Sequence, residues 1–112
     1  MDLGAGSGFQ SIPLAELGFK VISIDWNQEL LAELEKNAKG LPIVTIQDNL
    51  LNFKQYSPPN VEIIVCMGDT LTHLESTEEV RGLIETVYSA LEQEGILILG
   101  FRDMTTELTD LD

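Results

Sequence analysis

The sequence predicts an α/β fold, a doubly wound parallel sheet with helices on both faces. Three observations carry that prediction. Short runs rich in β-branched residues alternate with amphipathic helical runs, and no hairpin signal joins one strand to the next. A glycine loop follows the first apolar segment, where open α/β sheets bind their ligands. The connections between parallel strands are then right-handed. The 112 residues suit one domain spanning 1–112, small for this architecture, and contain no internal repeat, low-complexity segment or linker.

Met1 to Leu3 reads as the last turn of a strand. Gln10 to Leu17 is a short helix stopped by Gly18, and Pro13 is tolerable there only within the first turn. Lys20 to Asp25 is a strand closed by an acid. Asn27 caps a helix from Gln28 to Lys39, whose Leu30, Leu31, Leu34 and Ala38 share a face, and Gly40 and Pro42 end it. Pro42 to Ile46 is the third strand, followed by the loop Gln47-Asp48-Asn49 and an irregular or weakly helical stretch over 50–60. Val61 to Met67, interrupted only by Glu62, reads as a strand buried on both faces. Ser76-Thr77-Glu78-Glu79 is a capping box opening a helix that runs to Gly95, with Val80, Leu83, Ile84, Val87, Tyr88 and Leu91 inward. Ile96 to Phe101 is the last strand, and Arg102 to Asp112 is polar and unassigned.

Composition narrows the functional classes. Nineteen acidic residues against six basic ones give a net charge of −13, which repels a phosphate backbone and argues against direct nucleic-acid binding. The plainest consequence of that charge is solubility. No apolar run approaches the roughly 20 residues of a spanning helix, so no membrane partner is expected. One cysteine, Cys66, has no partner for an internal disulfide, which points to a reducing cytoplasm. No second histidine or cysteine stands at ligand spacing, so no metal is expected.

The chemistry concentrates at strand ends. Asp2-Leu3-Gly4-Ala5-Gly6-Ser7-Gly8-Phe9 places glycine at alternate positions, where backbone can approach a ligand closely. A dinucleotide fingerprint would need glycine at position 9, which is Phe9. Asp25 ends the second strand seventeen residues after Gly8, beside the loop. There it can accept hydrogen bonds from both hydroxyls of a ribose, or instead cap the next helix. A nucleoside ligand follows from the first alternative without a choice between nicotinamide dinucleotide and others.

Gly-x-Gly-x-Gly with an acid two places before it resembles motif I of the class I S-adenosylmethionine-dependent methyltransferases. Cys66-Met67-Gly68-Asp69-Thr70-Leu71-Thr72-His73-Leu74 resembles the segment after the fourth strand in small-molecule members, including the glycine N-methyltransferase-like group. Together with Asp25 and Asp48, these landmarks extend the resemblance over residues 1 to about 103. It implies a Rossmann-like core, S-adenosyl-L-methionine as cofactor and a small-molecule methyl acceptor. It also implies cofactor contacts from Asp2, Gly4, Ala5, Gly6 and Gly8, from Asp25 at the ribose, and from Asp48 and Asn49 at the adenine. Trp26 lays its indole beside the adenine or covers the adjacent helix. Met67 and Gly68 bring backbone to the cofactor, with Asp69 beside them. Thr70 and His73 stand towards the acceptor, although His73 has an alternative as a structural residue at the loop-to-helix junction. No catalytic residue is nominated. The negative field would suit a sulfonium cation as a secondary effect.

Two family features are missing from the sequence, the helix before strand one and the closing hairpin of strands six and seven. A partial core of a longer enzyme is therefore expected, truncated at both ends, with an uncovered sheet edge open to self-association. Two rival readings are a non-catalytic S-adenosylmethionine-binding fragment and a nicotinamide-dependent oxidoreductase domain.

Overall fold

The computed structural model describes residues 1–67 and 77–100. Strands β1 (Asp2–Leu3), β2 (Val21–Asp25), β3 (Ile43–Gln47), β4 (Val61–Cys66) and β5 (Leu91–Leu99) alternate with helices α1 (Ser11–Glu16), α2 (Gln28–Asn37) and α3 (Thr77–Ala90). A 3-10 turn, Leu50–Tyr56, links β3 to β4, where the sequence pattern is only weakly helical. The five strands form one parallel sheet in the order β3-β2-β1-β4-β5. The order in which successive strands are added reverses between β1 and β4, so the loops after those two strands flank the switch point.

Two hydrophobic layers hold the sheet. Leu3, Ile24, Ile64 and Cys66 pack with Phe53, Leu83 and Val87 beneath α3 and the 3-10 turn. Ala5, Leu31, Leu34 and Ala38 form the second layer, joined by Ile12, Leu41 and Ile43. Alternation along β2 assigns Ile22 and Ile24 to the first layer and turns Val21, Ser23 and Asp25 to the face of α1 and α2. Asn27 caps α2 as its residue type demands, its side chain accepting from the Leu30 N–H at 3.1 Å. Pro13 lies in the first turn of α1.

Two expectations on the third helix are corrected: Tyr88, expected inward, is 74% exposed, and the helix boundary moves. The third helix ends at Ala90, not at Gly95, and β5 starts with Leu91. The ladder jumps from Val61↔Leu91 to Ile63↔Ile96, so residues 92–95 bulge out of register. A Cβ at Gly95 would lie 2.9 Å from the Glu92 carbonyl oxygen and 3.1 Å from that of Val61. That glycine is a close-approach residue inside a strand, a use that helix-ending glycine shares in sequence. Ser76 and residues 101–112 lie outside the described residues.

β5 is an edge strand among the described residues. Its Ile96 and Ile98, on the face away from α3, are 55% and 42% exposed. Among the described residues no helix is long and apolar enough to cross a membrane.

Candidate functional site

The glycine loop leaves β1 and is drawn towards β2. The Gly4 and Ala5 N–H groups both donate to the Ile24 carbonyl, at 2.7 and 3.0 Å. The Gly6 N–H donates to Asp25 Oδ2 at 2.8 Å, and the Gly8 N–H returns to the Ala5 carbonyl at 3.1 Å. Four loop donors therefore serve acceptors of the chain itself. A phosphate cradle needs such donors turned outward, and two carboxylates flank this loop instead.

Gly6 and Gly8 both adopt positive φ, +57° and +101°, for different reasons. A Cβ at Gly6 would meet only Leu30 Cδ1, 3.9 Å away, so the backbone there faces open space. A Cβ at Gly8 would come within 2.3 Å of Leu34 Cδ1, so its missing side chain makes room for α2. Of the two, Gly6 alone leaves the side of its backbone open.

Asp25 is half-buried and does two jobs. Oδ2 holds Gly6, and Oδ1 accepts from the Asn27 N–H at 2.7 Å, just ahead of α2. Each oxygen keeps a further lone pair for a ligand hydroxyl. Trp26, next in sequence, is 71% exposed, and its carbonyl accepts from the Gln47 amide at 3.3 Å. Phe9 at the far end of the loop is 84% exposed. Two bare aromatics thus stand at the loop and at the end of β2.

Asp48, beyond β3, is engaged by its own 3-10 turn. Oδ1 accepts from the Asn49 N–H at 2.6 Å and the Asn52 amide at 2.9 Å, and Oδ2 accepts from the Tyr56 hydroxyl at 2.5 Å. The Tyr56 bond above all, with that of Asn52 next, holds the Asp48 carboxyl below its ordinary value; the same bond raises the Tyr56 hydroxyl. One lone pair of Oδ2 remains for a ligand. Asn49 turns its side chain to the Leu51 N–H at 3.0 Å.

Asp2 is fully buried. Its Oδ2 accepts from the Ser11 hydroxyl at 2.6 Å, while Oδ1 has no partner among the described residues. Burial pushes its carboxyl above the ordinary range, opposed by the Ser11 bond and the Met1 ammonium. Met67 follows β4 at the switch point, half-buried. Cys66 before it is buried, its thiol pushed up to about 11 by burial and by Asp2.

The structure thus gathers Asp2, Gly4, Ala5, Gly6, Gly8, Asp25 and Trp26 at the carboxyl ends of β1 and β2. Asp48 and Asn49 follow β3 on the same edge, and the Asp48 N–H reaches the Asp25 carbonyl at 3.2 Å. Gly68, Asp69, Thr70 and His73 lie outside the described residues. Sequence reasoning missed Ser11, Asn52 and Tyr56, partners of the acids, and Ser23, the partner of Ser11. Ser23 carried a signal, a lone hydroxyl inside an apolar strand. A cavity of about 360 Å³ lies at the opposite sheet edge, among Met1, Leu14, Phe19, Val21 and Val61, and contains none of the predicted residues.

Sheet order and loop define a nucleoside-cofactor domain, and comparison with known proteins specifies its kind. Residues 1–95 match the family described as a methyltransferase domain, and the chain belongs to that family. It is 34% identical over 105 residues to the glycine/sarcosine N-methyltransferase of Aphanothece halophytica, a match covering 92% of this chain and 40% of that protein. The enzyme of the same name from Halorhodospira halochloris is also 34% identical, with 92% and 39% covered. The chain spans about two fifths of the length of these curated relatives.

Among solved structures, a Pyrococcus horikoshii OT3 protein superposes with a TM-score of 0.81 at 22% identity, covering 98% of this chain and 48% of that one. The glycopeptide N-methyltransferase MtfA, in complex with S-adenosyl-L-methionine, gives 0.70 at 23%, covering 88% and 44%. These likenesses establish the Rossmann-like methyltransferase fold.

S-adenosylmethionine, the cofactor that family membership brings, fits the residues present. The loop opens backbone at Gly6, spends its donors internally and stands between carboxylates, which suits a cationic ligand without phosphates.

Proposed function

We propose that this chain is the cofactor-binding core of an S-adenosylmethionine-dependent methyltransferase acting on a small-molecule acceptor. The observation that carries the reading is the loop between Asp2 and Asp25, with its amides at 4, 5, 6 and 8 committed inward. A dinucleotide-dependent oxidoreductase would need outward donors for a pyrophosphate, and the loop has Phe9 where its fingerprint needs glycine.

In this reading Asp25 takes the ribose hydroxyls on its remaining lone pairs. Trp26 stands beside the adenine, and Asp48 and Asn49 read its edge. Gly4, Ala5, Gly6 and Gly8 let the loop approach the nucleoside and methionyl parts, with Asp2 behind them and Met67, Gly68 and Asp69 on the β4 side. Thr70 and His73 are the acceptor-side candidates. When bound, the cofactor supplies an activated methyl group on a sulfonium. The chain supplies position and a negative environment, and a neutral amine acceptor asks for no general base. The printed names of the relatives favour a small amine of the glycine or sarcosine class.

The single buried Cys66 supports a reducing, cytoplasmic setting, and the exposed Ile96 and Ile98 support self-association through β5. One domain over 1–112 accommodates all of this.

Calorimetric titration with S-adenosylhomocysteine and with NADH tests the cofactor: heat with the first alone is expected, and heat with NADH alone would overturn the reading. Radiolabelled methyl transfer to glycine and sarcosine tests the acceptor class. Tight S-adenosylhomocysteine binding without transfer to any small amine would leave a binding module in place of an enzyme.

A further inference from the structure

Ser11 and Ser23 are both fully buried, as is Asp2, and the three come from three different elements. Asp2 and Ser23 are register partners on adjacent strands, and Ser11 opens α1 above them. Ser11 Oγ lies 2.6 Å from Asp2 Oδ2 and 2.6 Å from Ser23 Oγ. Ser11 Oγ–H donates to Asp2 Oδ2, and a hydroxyl has a single proton to give, so the Ser11 proton belongs to Asp2. Ser23 must then donate to Ser11, and one proton order results, Ser23 to Ser11 to Asp2.

These contacts close a ring around the glycine loop. Asp2 precedes the loop and Ser11 follows it, so their bond ties its two ends together. Ser23 and Asp25 lie two residues apart on the same face of β2. The first fixes the start of α1 through Ser11, and the second fixes the loop's midpoint through the Gly6 N–H. One strand face thus sets both points from which the loop hangs.

We propose that Ser23, Ser11 and Asp2 form a buried clasp that holds the glycine loop in its cofactor-receiving shape, with Ser11 and Ser23 as positioning residues. This rests on the reading of the loop as the cofactor site. The groups facing Asp2 are the Met1 ammonium, which favours its ionised form, and the Asp25 carboxylate, which disfavours it; the Cys66 thiol feels its charge. The Ser11 hydrogen bond also favours the ionised form. Removing that hydroxyl therefore moves the Asp2 titration further up, a change that a packing role alone does not produce.

The test compares the wild-type chain with Ser11→Ala, Ser23→Ala and the double variant. Hydrogen exchange at the Gly8 and Ile12 amides, which close the loop onto α1, is followed without ligand. S-adenosylhomocysteine affinity is followed across acid pH. In Ser11→Ala, loop exchange about tenfold faster is expected while the α3 and β4 amides hold. Affinity about tenfold weaker is expected too, with its acid-side fall moved to higher pH. Ser23→Ala moves the same quantities less, and the double variant matches Ser11→Ala because Ser23 acts through Ser11.

A folded Ser11→Ala protein with native loop exchange and native affinity would overturn the clasp, as would strictly additive effects. Should Ser11→Ala not fold, Ser23→Ala keeps the Ser11–Asp2 bond and decides alone: unchanged loop exchange in it also overturns the proposal. Exchange is measured without ligand, so a wild-type chain that ignores S-adenosylhomocysteine overturns the functional reading and leaves the clasp to the exchange result.

Discussion

Gly6 and Gly8 stand two residues apart and answer different demands, so substituting them should separate folding from binding. Gly8→Ala drives a methyl into Leu34 Cδ1 at 2.3 Å and should destabilise the fold by about 1–3 kcal/mol in chemical denaturation, the usual cost of overpacking. Gly6→Ala meets only Leu30 at 3.9 Å and should cost about 1–2 kcal/mol for its left-handed backbone. It should nevertheless abolish S-adenosylhomocysteine binding, because its methyl fills the open side of the loop that the proposed cofactor site uses. Native affinity in folded Gly6→Ala would make the loop a mere turn. Asp25→Ala removes the Gly6 anchor and the proposed ribose acceptor together, and should weaken binding at least tenfold, about 1.4 kcal/mol, in a calorimetric titration. Each acid was legible in the sequence, since a carboxylate at a strand end beside a glycine loop stands out in a chain of residue types. Their partners were not: Ser11 becomes the neighbour of Asp2 and Ser23 only once α1 folds back over two strands.

The segment after β3 shows how an element can commit an acid before any ligand arrives. The 3-10 turn places Asn52 four residues and Tyr56 eight residues after Asp48, and both donate to its carboxylate. Because the folded Asp48 titrates below its ordinary value, its bonds contribute stability above the unfolded value and lose it as pH falls through the folded one. Tyr56→Phe removes the largest cause. The Asp48 titration, followed by carboxyl carbon NMR, should move up, and the stability difference from wild type should vanish at the acid end. An unchanged Asp48 titration would dismiss the Tyr56 bond. Helices and strands were legible because period and caps repeat over many residues, as in α2 with its Asn27 cap. The register jump at residues 92–95 was not, because a glycine that ends a helix and one that makes room for a neighbouring carbonyl read alike.

At the scale of the whole molecule the two sheet faces are unequally covered. On the face of α1 and α2, alternation in β5 leaves Ile96 and Ile98 uncovered at an edge strand among the described residues. Self-association through this edge should appear as concentration-dependent sedimentation. Ile96→Lys/Ile98→Lys should return the chain to a monomer, since charge at an edge opposes strand pairing. A wild-type chain that stays monomeric at high concentration would discard the association.

The placement of β1 sets the order in which the chain can assemble. Its two residues pair with Ser23 and Ile24 on one side and with Val65 on the other, and the Met1 amine reaches the Ile63 carbonyl across 62 positions of chain. The middle strand of the sheet therefore gains its second neighbour only from a segment more than half of this sequence away. Such distant pairings are slow to form, because loop closure is lost entropy before any contact repays it. Until β4 arrives, Leu3 and Ile24, which end with no exposed surface, remain open to whatever else is nearby. Refolding of this sheet should accordingly be slower than that of an equally small bundle of neighbouring helices, which stopped-flow measurement would check.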